Sequence, residues 1–180
     1  MTGRRGWWRR NLWGLVLLPV AAAAALYPGL RDMYETYWQR QPHVALPVDA
    51  AGWAALDGAR MRLVELIAVD EVPSGFGPPT RAPARTRVWR STVEFAGDPT
   101  AVEGCTIALE DRDGTTYGAN PTELGSLLIA GCTPPDGTAP TARSYQVVAY
   151  FLLPQARAPA AVRVSVPTQL PRYVRLPAPG

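Results

Sequence analysis

The chain has 180 residues, 47% of them hydrophobic and 18% charged, with 18 basic against 15 acidic side chains, one histidine and two cysteines. That describes one modest domain with an appendage, too apolar for disorder throughout, and a lone histidine excludes His-clustered metal sites and mechanisms that need two imidazoles. The formal charge of +3 with a pI near 9.1 is a topology signal, because residues 1–30 hold four arginines and no acid, whereas residues 31–180 carry 14 arginines and all 15 acids.

With the excess confined to the N-terminus, the remainder is close to neutral and no nucleic-acid partner is expected. All 18 basic residues are arginine, beside 19 prolines. Arginine, alanine, glycine and proline are the residues of GC-rich codons, so the missing lysine reads as the codon bias of a high-GC bacterial genome.

Residues 1–10 contain Arg4, Arg5, Arg9 and Arg10 with Trp7 and Trp8, and an uncharged run over residues 11–30 follows. At 1.5 Å per residue about 20 residues cross the ~30 Å hydrocarbon core of a bilayer. Trp13 and Tyr27 flank the apolar centre, and Pro19 within it predicts a kink. Four arginines ahead of the span place the N-terminus in the cytoplasm by the positive-inside rule. The run Ala21 to Ala25 also fits a signal-peptide cleavage site, so a secreted domain starting near residue 26 is the rival reading. Either way the remainder is exported, and the lipid bilayer is the first partner expected.

From Leu30 into residues 31–41, Leu30, Met33, Tyr34, Tyr37 and Trp38 fall on one helical stripe, opposite Arg31, Asp32, Glu35 and Arg40, and Pro42 ends it. This predicts an interfacial collar or a contact face for another envelope or membrane protein. Residues 42–58 read as a linker and 167–180 as a Pro-rich tail. Between them, 59–166 predicts an exported all-β domain.

Arg60 to Val69 reads as a strand with Met61, Leu63 and Glu65 on one face. Val72 to Arg85 carries four prolines and two glycines and reads as a loop, whose tip at Phe76 is the candidate binding element. Thr86 to Phe95 alternates with Trp89 as core anchor. Cys105, Ile107 and Leu109 point inward from the next strand, and Asp111-Arg112-Asp113-Gly114 makes a hairpin turn. Ser126 to Cys132 is a short apolar strand or helical turn. Tyr145 to Leu153 is the most β-prone run, followed by Val162 to Val166 and a further segment at Val174 to Leu176.

Six or seven short strands without a long helix predict an antiparallel β-sandwich. Leu109-Glu110-Asp111-Arg112-Asp113-Gly114-Thr115-Thr116-Tyr117 and Val148-Ala149-Tyr150-Phe151-Leu152-Leu153-Pro154 carry a resemblance over roughly residues 59–166. The chain resembles the immunoglobulin-like (telokin-like) domain of unknown function found in exported lipoproteins and single-pass membrane proteins, especially of actinobacteria. The resemblance implies fold and export, and no catalytic residues. The lipid-modified cysteine usual ahead of such domains is absent here.

Cys105 and Cys132, an even pair in an oxidising space, predict a disulfide worth roughly 3 kcal/mol in the chain-entropy picture. Neither belongs to a C-x-x-C pair, and His43 lies in the linker, so no zinc site or Cys-His nucleophile is expected. Glu110, Asp111 and Asp113 have the wrong spacing for an EF-hand, with glycine at position 4 of the run and not 6. A glycosidase pair drawn from Glu94, Glu103, Glu110 and Asp111 is a remote alternative. No phosphate loop or nucleophile elbow occurs, and the five serines have no histidine in the exported domain to activate them. No cofactor, metal or catalytic residue is therefore assigned. The expectation is a membrane-anchored binding or scaffold module of a bacterial envelope.

Overall fold

The computed structural model describes residues 4–74, 77–125, 131, 132, 134 and 144–179, with side chains from residue 11 onward. It divides into two units, residues 1–41 and 42–180.

The first unit is helix α1, Arg4–Met33, which passes into a π-helical turn at Tyr34–Trp38. Pro19 and Pro28 both lie inside α1, each removing one backbone donor that the surrounding alanine and leucine turns tolerate. The expected division at residue 30 is therefore not seen: the membrane-type segment and the juxtamembrane stripe form one helix. Arg31 pairs with Glu35 one turn later at 2.8 Å. The stretch Asn11–Trp38 has a mean hydropathy of 1.7 in its most apolar window and none of that window is buried. It is long and apolar enough to cross a bilayer.

The second unit is a β-sandwich. Strands β1 (Val44–Leu46), β2 (Ala54–Leu56), β3 (Ala59–Val69), β4 (Glu71–Val72), β5 (Thr80–Arg81), β6 (Thr86–Gly97), β7 (Thr106–Asp111), β8 (Thr116–Gly118), β9 (Ser144–Pro154), β10 (Pro159–Ser165) and β11 (Arg172–Pro177) follow in chain order. One sheet has the order β1-β11-β10-β7-β8, the other β2-β3-β6-β9, and β4 and β5 form a small ribbon of their own. Between the sheets one continuous core holds Leu56, Met61, Phe95, Leu109, Phe151, Val162, Val164, Val174 and Leu176. Phe95 stacks on Tyr145 with ring centroids 5.4 Å apart.

Four expectations need correction. Residues 42–58 are not a linker: β1 and β2 lie there, and Ala54 and Leu56 are each 1% exposed. The C-terminal residues are not a tail, because β11 lies between β1 and β10 with Val174 and Leu176 fully buried. The sandwich is not wholly antiparallel, since β1 and β11 run parallel, Val44 opposite Arg172. Trp89 is half-buried at the margin of the core, and Phe95 and Phe151 fill its centre.

A bulge in β3 between Leu63 and Glu65 changes the strand's face. Leu66 turns inward and Glu65 turns outward, where it accepts from Arg90 at 2.7 Å. The physical reason is the cost of placing a carboxylate between apolar sheets, which one extra residue avoids. By contrast β7 keeps the expected alternation, with Cys105, Ile107 and Leu109 buried, and it carries the phase one step further to Asp111, 1% exposed.

The proline-rich stretch between β3 and β6 does more than connect. Val72 of the small ribbon and Ala82 just after it, with Leu124 from a 3-10 turn (Thr122–Leu124), cover Val88, Tyr150 and Leu152 on the outer face of the second sheet. Phe76 and most of the Ser126 to Cys132 segment lie outside the described residues; Cys132 itself sits in a turn.

Candidate functional site

The strand registers sort the loops of the sandwich into two ends. The chain enters beside the start of β11, where the His43 and Val44 amides both donate to the Pro171 carbonyl at 3.0 Å. Cys105, at the head of β7, lies at this same end, since Thr106 is opposite Ser165 at the close of β10. The connections β7–β8, β9–β10 and β5–β6 lie at the other end.

At that far end Asp111 organises the hairpin. Its Oδ1 accepts from the Asp113 and Thr115 amides, both at 2.9 Å, and its Oδ2 accepts from the Tyr117 hydroxyl at 3.1 Å. Burial, and then the hydrogen bond to Asp111, raise the Tyr117 hydroxyl above its ordinary pKa. Gly114 takes a φ of 83°, as the turn requires, and Arg157 forms an ion pair with Asp113 while standing 3.9 Å from Asp111. A charge this buried is held by fixed donors. Asp111→Ala should therefore destabilise the domain by about 3 kcal/mol, and Asp111→Asn, which keeps one acceptor, by less. Thermal denaturation of the two variants beside the parent checks the order.

The acids considered for a glycosidase pair are not brought together. Glu110 lies on the outer face of the first sheet, accepting from Arg175 at 2.8 Å with Arg163 at 3.8 Å. Glu94 lies on the outer face of the second sheet, 2.7 Å from Arg62. Glu103 follows a 3-10 turn (Pro99–Val102), and Asp111 is spent on its hairpin. Among the described residues no group of three or more His, Cys, Asp or Glu side chains is placed to hold a metal ion.

Arg163 does a second job. It donates to the Pro42 carbonyl at 2.8 Å and lies over the Tyr173 ring at 4.1 Å, fixing the first residue of the domain to β10 and β11. On the other sheet Arg60 and Arg62 both lie against Trp53, at 5.1 and 4.7 Å. Arg90 is raised above its ordinary pKa, chiefly by its hydrogen bond to Glu65.

Cys105 and Cys132 stand paired at disulfide distance, their Cα atoms 5.7 Å apart. Burial pushes the Tyr145 hydroxyl up to about 12, and that hydroxyl donates to the Cys132 carbonyl at 2.7 Å. A cavity of about 410 Å³ lies beside the pair, lined by Ile107, Ala119, Asn120 and Ala149 among others. Asn120 is held against β9, because its Oδ1 accepts from the Tyr150 backbone amide at 2.9 Å and its own backbone amide donates to the Tyr150 carbonyl at 2.7 Å. Asn120 thus occupies the edge of β9 as a short strand would, in a left-handed conformation (φ 54°) that asparagine tolerates.

Of the residues singled out from sequence, Arg4, Arg5, Arg9 and Arg10 fall in the first turns of α1. Phe76 lies outside the described residues. The far-end arginines escaped sequence reasoning, since Arg85, Arg87 and Arg112 share no spacing pattern and are brought to one end only by strand register.

Fold and site together define a disulfide-paired β-sandwich preceded by a long apolar helix. No protein-family profile and no curated protein matches the chain. Among solved structures it is similar to an uncharacterised β-sandwich protein from Clostridium difficile 630, at 7% identity and a TM-score of 0.43, over 76% of this chain and 95% of that one. A conserved hypothetical protein from Bacillus anthracis shows 8% identity and a TM-score of 0.43, over 69% and 91%. The secreted protein MPT63 from Mycobacterium tuberculosis shows 16% identity and a TM-score of 0.40, over 74% and 92%. The fold assignment rests on the two sheets described above and not on these likenesses.

Proposed function

We propose that the chain is a non-enzymatic, single-pass membrane protein of a bacterial cell envelope. In this reading residues 1–10 are cytoplasmic and the sandwich is an immunoglobulin-like, telokin-like module outside the membrane that binds or scaffolds another envelope protein, in the manner of exported actinobacterial domains. The observation that carries the reading is the helix: Asn11–Trp38 is apolar and unburied, and it follows four arginines with no acid among them. A paired set of cysteines in the domain that follows suits an oxidising compartment.

Fractionation of cells expressing the full chain tests it. The expected result is intact-mass protein in the carbonate-washed membrane pellet, with the sandwich cleaved by protease added from outside. A mature form beginning near residue 26 and found in the medium would overturn the anchor.

A further inference from the structure

We infer that the end of the sandwich remote from chain entry docks an acidic, partly apolar peptide segment of another envelope protein through Arg85, Arg87 and Arg112. The inference rests on the reading of the domain as a binding module and names the chemistry of its partner.

Backbone hydrogen bonds join the three loops involved. The Gln155 amide donates to the Arg85 carbonyl at 3.0 Å, the Arg157 amide to the Pro154 carbonyl at 2.9 Å, and the Arg112 amide to the Ala158 carbonyl at 3.2 Å. Arg85 and Arg112 therefore flank one short connection, and Arg87, the second residue of β6, stands opposite Leu153. Arg85, Arg87, Arg112 and Arg157 share this end with Asp111 and Asp113, both engaged by Arg157, and with the exposed Asp70, which follows Val69 opposite Val88, so three arginines stand beside one acid that forms no ion pair with a described residue. Arg85, Arg87 and Arg112 are exposed, and none of them forms an ion pair with a described residue. Elsewhere in the domain guanidinium groups are mostly matched to carboxylates or, for Arg172, to Gln169.

Arg85 adds a second, independent sign. Its φ is +63°, a left-handed conformation that glycine or asparagine takes readily and a long side chain takes at a cost of about 1 kcal/mol. Among the described residues the other non-glycine residues with positive φ are Asp57 and Asn120, both of types that tolerate it. At Arg85 no local contact of the side chain offsets the cost, which points to a role for the guanidinium beyond the fold.

The surface between the arginines selects among anions. Pro83, Ala84, Pro154 and Ala156 are exposed there, so the patch alternates cationic forks with small apolar ground. Guanidinium forks match carboxylates bidentately, and the apolar ground suits the aliphatic side chains of a peptide. A polyphosphate chain has nothing to set against it.

The test uses the full chain in nanodiscs and a fluorescent peptide alternating Glu or Asp with Val or Leu, with a Gln-substituted peptide and polyphosphate as controls. Binding of the acidic peptide is expected, weakening roughly tenfold between 50 and 300 mM NaCl. The R85Q/R87Q/R112Q variant should lose about tenfold or more in affinity at an unchanged melting temperature. Arg85→Gly, which relieves the positive φ, should keep or raise the melting temperature and still weaken binding. No acidic-peptide binding at 50 mM salt, equal binding of the Gln peptide, binding of polyphosphate alone, or full affinity in the triple variant each overturns the proposal. Membrane fractionation is independent of these arginines. An anchored chain that ignores the peptide sinks this inference alone, and a secreted mature form that binds it sinks only the anchor.

Discussion

Removal of residues 172–180 is expected to abolish cooperative unfolding of the sandwich altogether. β11 lies between β1 and β10, so its loss strips hydrogen bonds from both neighbours and leaves β1 with no partner strand. Val174 and Leu176 are fully buried and Tyr173 is 8% exposed. At about 2 kcal/mol for each buried side chain the apolar loss alone is about 6 kcal/mol, comparable with the ~5–15 kcal/mol margin of an ordinary domain. The deletion also takes Arg175 from Glu110 and the Tyr173 ring from Arg163, which loosens the clamp on Pro42. Circular-dichroism melts of the full and shortened chains check this. A shortened chain that melts cooperatively within a few degrees of the parent would show that the strand is dispensable. Val174→Ala offers a graded companion, with an expected loss of about 2 kcal/mol and the fold retained.

That strand also shows where the sequence stopped being readable. Val174 to Leu176 carries the apolar alternation of a strand, yet the segment's prolines suggest an ending, and nothing local specifies that it pairs with β1 across more than a hundred residues. β1 and β2 are three residues each, too short for a period to register. β7 and β9 were legible because one face of each is buried along its length, so the two-residue period survives intact. β3 was half legible: the period holds to Leu63 and then shifts at the bulge, a tertiary response to Glu65 that no propensity reports. The hairpin at Asp111 was readable as a turn from Asp113 and Gly114. The inward burial of Asp111 and its hydrogen bond to Tyr117 emerged only with the packing. The same holds for the remote end of the sandwich. Its three arginines are ordinary charges in the sequence, and only strand register and the φ of Arg85 set them apart.

Replacing both cysteines, as Cys105→Ala with Cys132→Ala, is expected to cost about 3 kcal/mol, which for a domain of this size lowers the melting temperature by about 10 °C. The pair closes a loop of sequence separation 27 that contains β7, β8 and the Asn120 link to the edge of β9. Without the bond, that whole excursion adds conformations to the unfolded chain. In the folded state the Tyr145 hydroxyl continues to hold the Cys132 carbonyl, so the native arrangement is weakened and not erased. Melts of the full chain with and without a reductant should differ by the same amount as parent and double variant, and coincident curves would count against the bond. The cysteines lie at the chain-entry end and Arg85, Arg87 and Arg112 at the other. Reduction at a temperature where the domain stays folded should therefore leave acidic-peptide affinity unchanged. A fall in affinity on reduction without unfolding would mean that the two ends are coupled through the sheets, which the separate sets of contacts give no reason to expect.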